Sequence, residues 1–368
     1  MIILLSLLGA SALVLAVYYL YFFSKLKNIN SVQGSSNNLP PVSVVISARN
    51  EKKNLEEFLP LILNQDYPNF EVIVVNDWSF DGTSELIEKF AKEHNHLKLV
   101  KIEVDERFKR GKKFALTMGI KAAKNERLLF TDADCFPKST NWISAMMQAN
   151  EGENDIILGN APLVTKIGPL GALIKYETFH TAIQYLSYAV RGKTYMGVGR
   201  NLSYTKTLFF ENKGFASHQH ILSGDDDLFI QETASSDNVA VCINSNSFMY
   251  SAGPKGIRAW IKQKTRHFST SSLYKGRFKR LLGLYSLAQI VFFFTAALGF
   301  ILFPQQWYFV ASFVLLKWLI QWIVMYKPAM QLDAKSVRFL LPILDIFYSL
   351  FLILFGILKV FIKPRTWS

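Results

Sequence analysis

The chain has 368 residues, enough for one or two domains with a full core, and half of them are hydrophobic, with 30 phenylalanines. A formal charge of +13 raises nucleic-acid binding, but no zinc-finger, RNP or helix-turn-helix pattern is present, and the basic residues crowd the borders of apolar runs. Two cysteines, Cys135 and Cys242, make neither a disulfide framework nor a zinc site and are expected as reduced thiols.

The apolar weight lies at the two ends. Met1 to Phe23 is uncharged and of bilayer-spanning length; no basic residue precedes it and the run is too long for a usual signal peptide, so a transmembrane helix over 1–24 is expected. Ser24 to Pro41 is polar, with Gly, Ser, Asn and a proline pair, and reads as a linker over 25–40.

A soluble domain over 41–255 follows. Val42 to Ser47 is a β-branched run, read as the first buried strand, and Arg49-Asn50-Glu51 ends it. Asn54 to Asn64 carries helical spacing, Phe70 to Val75 reads as a strand ending at Asn76-Asp77, and Ser79 to Thr83 turns the chain into a helix through Ala91. Leu97–Val104 is a third strand, Lys113–Ala123 a helix, and Leu128–Thr131 a fourth strand running into Asp132-Ala133-Asp134. Such alternation with short connections predicts an α/β domain with a mostly parallel sheet, whose ligands bind at the carboxyl ends of the strands. The clusters Arg49–Glu51, Asn76–Asp81 and Asp132–Asp134 all lie at those ends. Neither G-x-G-x-x-G nor a Walker loop occurs, which argues against dinucleotides and P-loop phosphoryl transfer.

Beyond Asn141 the alternation is less regular. Ile156–Leu158 reads as a strand, Leu170–Val190 as a long amphipathic helix and Met196–Tyr204 as a glycine-punctuated strand, in which Arg200 and Asn201 could orient a ligand's hydroxyls or simply flank a bulge. Asp225-Asp226-Asp227 opens a helix to Ala234, and Val239–Ile243 is a further strand. His180, His218 and His220 lack metal spacing and read as structural or loop residues.

Ile257–Phe268 is a basic amphipathic helix within a 256–280 interface region, where Trp260 and Tyr274 could stack on a ligand or anchor at the membrane border. Leu281–Phe303, Trp307–Tyr326 and Phe339–Ile362, within 281–363, are three further candidate spans. Lys317 and Asp345 are charged inside them, and a long lysine near an end can snorkel. Lys25, Lys27, Lys262, Lys264, Arg266, Lys275, Arg277, Lys279, Arg280, Lys327, Lys335 and Arg338 flank the runs. By the positive-inside rule the soluble domain is cytosolic and the protein sits in the cytoplasmic (inner) membrane. Four spans leave Lys363 and Arg365 outside, a conflict removed if the last run or Leu281–Phe303 lies in the interface or re-enters. Asn201-Leu202-Ser203 matches a glycosylation acceptor that is inert in the cytosol.

Two acids at i and i+2 on extended chain point the same way, so Asp132 and Asp134 can share a divalent cation with a ligand's phosphates; a solvated pair in the turn before Pro137 is the alternative. In the triplet, mutual repulsion raises at least one pKa, which suits a general base, while acids at a helix N-terminus also serve its dipole, an alternative that fits Asp226.

On these motifs residues 40–275 resemble the family 2 glycosyltransferases of GT-A fold, of the membrane-anchored kind that includes cellulose and hyaluronan synthases. Val42–Glu51 matches the opening strand, and Asn76 to Thr83 the Asp-Asp-Gly-Ser-x-Asp-Gly-Thr stretch. Arg110-Gly111-Lys112-Lys113 matches the Gly-Lys stretch and Asp132-Ala133-Asp134 the metal motif. Asp225-Asp226-Asp227-Leu228 matches the base motif, and Gln263-Lys264-Thr265-Arg266-His267 the Gln-Arg-x-Arg-Trp motif. The resemblance implies that Asp77 bonds the nucleotide base with Arg49 and Glu51 nearby, that Lys112 reaches phosphates or base, and that Asp132 contacts ribose or sugar. It further implies that Asp134 ligates Mg²⁺ or Mn²⁺, that Asp225 or Asp226 is the base, and that Gln263, Lys264, Arg266 and His267 serve leaving group and acceptor. The implied activity is inverting transfer of a sugar from a nucleotide diphosphate to a lipid or lipid-linked glycan. A processive polysaccharide synthase, or a silent nucleotide-sugar- or glycan-binding subunit of an envelope assembly, is the alternative. Asn76, Trp78 and His267 depart from the pattern, and His267 stands where processive synthases carry Trp.

Overall fold

The computed structural model of the protein describes residues 1–29, 39–103, 111–150, 154–221 and 223–361. Most of the linker, Val104 of the third expected strand, Arg110, Ile362, Lys363 and Arg365 lie outside them. The chain forms two units: one gathers Met1–Ile29, Thr165–Tyr188 and the chain from Pro254 on, and the other holds 39–164 and Ala189–Gly253.

In the second unit the strands are β1 (Val42–Ala48), β2 (Phe70–Asn76), β3 (Leu97–Lys101), β4 (Arg127–Asp132), β5 (Cys135–Pro137), β6 (Ile156–Leu158), β7 (Leu163–Val164), β8 (Leu202–Thr205), β9 (Val239–Val241) and β10 (Met249–Ala252). Seven of them form one sheet in the order β3-β2-β1-β4-β8-β6-β9, and β5-β10-β7 form a second. β3, β2, β1 and β4 are mutually parallel, while β8 runs antiparallel to both β4 and β6. All seven residues of β1 are buried, as a β-branched run between two parallel neighbours requires.

Register decides what meets at the edge. Ala48 lies opposite Asn76 and Ser47 opposite Asp132, so the chain leaves β1, β2 and β4 side by side. The helix Lys112–Ala122 is pressed onto this sheet through Gly119, where a Cβ would come within 2.6 Å of Val45 and 2.9 Å of Val75. Because that helix follows a parallel strand, its first residues, Lys112 and Lys113, sit at the same carboxyl edge.

Several elements differ from the sequence expectation. Only Leu202–Tyr204 of the expected strand Met196–Tyr204 joins the sheet, in a strand that runs on to Thr205. The small sheet and the helices Trp142–Gln148 and Lys206–Glu211 have no counterpart in it.

Among the described residues of the first unit three helices are long and apolar enough to cross a membrane, Ile2–Lys27, Gly276–Leu302 and Pro304–Gln331, and Leu341–Gly356 is a shorter apolar one. Leu13, Leu20, Leu287, Phe294, Leu319 and Leu350 are each at least half exposed on these helices. An outward apolar surface of that kind suits hydrocarbon better than water.

Helix Pro169–Val190 packs here as well, although the sequence places it inside the soluble domain. The Tyr176 hydroxyl donates to Asp345 Oδ1 at 2.7 Å, His180 meets the Tyr285 hydroxyl at 2.9 Å, and Glu177 pairs with Lys264 at 2.6 Å. Lys317 does not snorkel: its side chain is buried and pairs with Asp345. Trp260 is also buried, stacked on Phe351 with ring centroids 4.0 Å apart.

Candidate active site

The loops after β1 and β2 are stitched together. Asn50 N–H donates to Ser79 Oγ at 2.9 Å, Phe80 N–H to Asn50 Oδ1 at 2.9 Å and Lys52 N–H to Asp81 Oδ2 at 3.0 Å. Trp78, standing where the family has Gly, takes φ 52°, the left-handed conformation that glycine adopts freely, so the loop can keep a glycine's path around a bulky ring. Asn76 Oδ1 closes the turn by accepting from Ser79 N–H and Oγ, and Trp78 sits edge-on to the exposed Phe80 ring. Asp77, 1% exposed, follows directly from β2, and Arg49 and Glu51 follow from β1. Glu51 accepts from Asn54 Nδ2 at 2.6 Å, and burial raises its pKa above the usual value.

Lys112 lies at the centre of the edge. Its Nζ is 2.8 Å from Asp132 Oδ1 and 3.0 Å from Asp225 Oδ2. Burial alone disfavours the ammonium, but Asp132 and then Asp225 outweigh it and hold the group well above the usual lysine range. Lys112, Asp132, Asp225, Gly199, Phe130 and Tyr204 line a small depression.

Asp132, Asp134 and Cys135 place their ligand atoms within 4.8 Å of one another. A hard divalent cation takes carboxylate oxygen, so Asp134 with Asp132 fits it. Burial, then Asp132 and Asp134, keep the Cys135 thiol well above its usual pKa; it donates to Asp134 Oδ1 at 3.4 Å rather than offering a thiolate. Desolvation, then Asp132, raise the Asp134 carboxyl, and Arg200 and Lys112 oppose the rise. Arg200 itself donates to Ser251 Oγ at 2.5 Å.

The triplet separates by direction. Asp226 Oδ2 accepts from Gly199 N–H at 2.9 Å and Oδ1 from Asp227 N–H at 2.8 Å, so both oxygens hold backbone. Asp225 instead faces Lys112 and the depression. Burial, then Asp225, push Asp226 up to about 7. Between the ordinary 3.8 and about 7 the folded chain therefore binds a proton the unfolded chain has released. Asp226 contributes stability at the acid end that is lost as pH rises through this window. Asp226→Asn should flatten that part of a melting-temperature profile, and an unchanged profile would contradict the assignment.

Two other residues read differently in place. Asn201 is fully buried, its amide accepting from Trp142 Nε1 at 3.0 Å and donating to Asn160 O at 2.8 Å and Ser247 O at 2.7 Å. It braces the core and has no face left for a sugar. Lys113, beside Lys112, carries no role in the sequence reading, yet it is 4% exposed and donates to His218 O at 2.6 Å and Ile221 O at 3.2 Å. Nothing local in the sequence marks those partners, which are over a hundred residues away. Gln263, Lys264, Arg266 and His267 lie in the other unit on helix Ile257–His267, with Lys264 buried against Glu177 and Arg266 and His267 exposed.

Residues 43–195 match the sequence model of glycosyl transferase family 2. Poly-beta-1,6-N-acetyl-D-glucosamine synthase of Staphylococcus epidermidis is 37% identical over 117 residues, 31% of this chain and 27% of that protein. Glycosyltransferase AglE of Haloferax volcanii is 31% identical over 144 residues, 38% of this chain and 45% of that one. The matched stretches thus span less than half the length of these curated relatives. The mannosyltransferase PcManGT from Pyrobaculum calidifontis shares the fold, at a TM-score of 0.59 and 21% identity over 95% of this chain and 98% of that one.

Proposed function

We propose that the stretch matching glycosyl transferase family 2 performs inverting, metal-assisted transfer of a sugar from a nucleoside diphosphate to a lipid or lipid-linked glycan at the cytosolic membrane face. The observation that carries this reading is the double pairing of Lys112 with Asp132 and Asp225, which gathers an acid from the end of β4 and an acid from the far segment around one opening.

Asp225 takes the proton of an acceptor hydroxyl as that oxygen attacks the anomeric carbon, worth about 10²–10⁴-fold in rate. The bond to the nucleoside diphosphate breaks on the opposite side, so an α-linked donor gives a β-linked product. Asp134, with Asp132, would hold Mg²⁺ or Mn²⁺, which offsets the charge gathering on the departing phosphates. Asp77, Glu51 and Arg49 hold the nucleoside at the stitched loops, and Lys112 remains charged to meet phosphate oxygen once the donor displaces its carboxylates. Arg200, close to Asp134, adds positive charge there. The apolar helices supply the membrane, and PcManGT was solved with GDP-Man and Mn²⁺. A silent subunit is disfavoured because the metal pair and the base cluster are both present. The likeness to a polysaccharide synthase favours repeated transfer as a second reading.

Purified protein should release nucleoside diphosphate from at least one member of a donor panel, and only with Mn²⁺ or Mg²⁺ supplied. Equal release in excess chelator would contradict the metal assignment.

A further inference from the structure

We propose that Lys113 is a positioning residue for Asp225: its buried ammonium fastens the turn that delivers this carboxylate to Lys112 and the depression. The proposal rests on the reading of Asp225 as the base.

Adjacent residues at the start of one helix grip the same remote segment in two ways. Lys112 holds the Asp225 side chain, and Lys113 holds the backbone a few residues upstream, through the carbonyls of His218 and Ile221. The turn is closed on itself by Ile221 N–H donating to His218 O at 3.1 Å, so those two carbonyls move together.

Between Ile221 and Asp225 the chain passes Gly224, at φ 98°, where a Cβ would come within 2.6 Å of Leu228. Downstream, Asp226 is tied to Gly199 and caps helix Asp227–Thr233. Asp225 is therefore suspended between an anchor behind it, Lys113, and an anchor ahead of it, Asp226. An apolar side chain could fill the space of Lys113 but would take the lysine donor from the Ile221 carbonyl and leave the His218 carbonyl only the Ile221 N–H.

Charge points the same way. Asp225, Asp227, Asp226 and Glu232 all act on the Lys113 ammonium, so the lysine offsets repulsion within a triplet of adjacent acids. Burial pulls Lys113 down to about 8, so it is still largely protonated at neutral pH.

The test compares Lys113→Met, Lys113→Gln and Asp225→Asn in the full chain, reading nucleoside diphosphate release, donor KM and melting temperature. Lys113→Met should lower kcat about 10- to 100-fold with donor KM within about threefold, because the residues that hold the donor are untouched. Lys113→Gln, which keeps an N–H pair for the carbonyls, should recover part of that loss. If Lys113→Met does not fold, Lys113→Gln alone decides, by the same split between kcat and KM. Wild-type kcat in Lys113→Met, or in Lys113→Gln where Lys113→Met does not fold, or kcat and donor affinity falling together, overturns the positioning role while an inactive Asp225→Asn leaves the base in place. Full turnover in Asp225→Asn overturns the base reading itself.

Discussion

Asp225→Asn should lose about 10²–10⁴-fold in turnover, and Asp226→Asn should lose less than about tenfold. The two acids are neighbours in sequence, so the contrast isolates direction rather than composition. Asp225 presents Oδ2 to Lys112 at 3.0 Å on the wall of the depression, where an acceptor hydroxyl can reach it. Asp226 spends both oxygens on the N–H groups of Gly199 and Asp227, and an asparagine oxygen can still accept from one of them. The asparagine at 225 keeps size and polarity but cannot take a proton. Steady-state release of nucleoside diphosphate decides the matter; equal losses in the two variants would show that the triplet acts as a unit, and the reverse order would move the base to Asp226.

Removing either partner of the Lys317–Asp345 pair should destabilise the helical unit by about 3–5 kcal/mol, because each removal leaves an uncompensated buried charge. Both side chains are essentially inaccessible, at 1% and 0%. The network around them joins four helices. Lys317 also donates to Gln321 Oε1 at 2.8 Å, and Asp345 accepts from the Tyr176 hydroxyl and from Gln289 Nε2 at 3.0 Å. Gly276–Leu302, Trp307–Gln331 and Leu341–Phe361 are thereby tied to helix Pro169–Val190. Lys317→Met with Asp345→Asn should recover much of the single-variant loss, since the double variant strands no charge. Thermal unfolding in detergent or lipid nanodiscs measures this, and additive losses would mean that the pair is not what couples the helices.

How much of this was legible depended on where the partners lie. The runs that became β1 and β2 are written in β-branched residues and β4 in Leu-Leu-Phe, all bounded by polar residues, and their acids stand at the strand ends because parallel strands leave a sheet on one edge. Short strands such as Cys135–Pro137 show no period long enough to read. Helix Pro169–Val190 was legible as a helix, yet its grouping with the apolar helices depends on Tyr176 and His180 finding Asp345 and Tyr285, more than a hundred residues away. Asn201 reads in sequence as a group that, with Arg200, could orient sugar hydroxyls, and only the fold supplies the Trp142 indole and the two carbonyls that satisfy its amide. Lys113 has no role in the sequence reading, and Asp226 competes there with Asp225, for the same reason.

The most direct test is nucleoside diphosphate release by the purified full chain with its productive donor and Mn²⁺, compared with Asp134→Ala and Asp225→Asn. Loss of release in both variants, with the chain still folded, is the predicted result. Undiminished release in both would contradict the claim that an acid after β4 and an acid before helix Asp227–Thr233 serve one reaction.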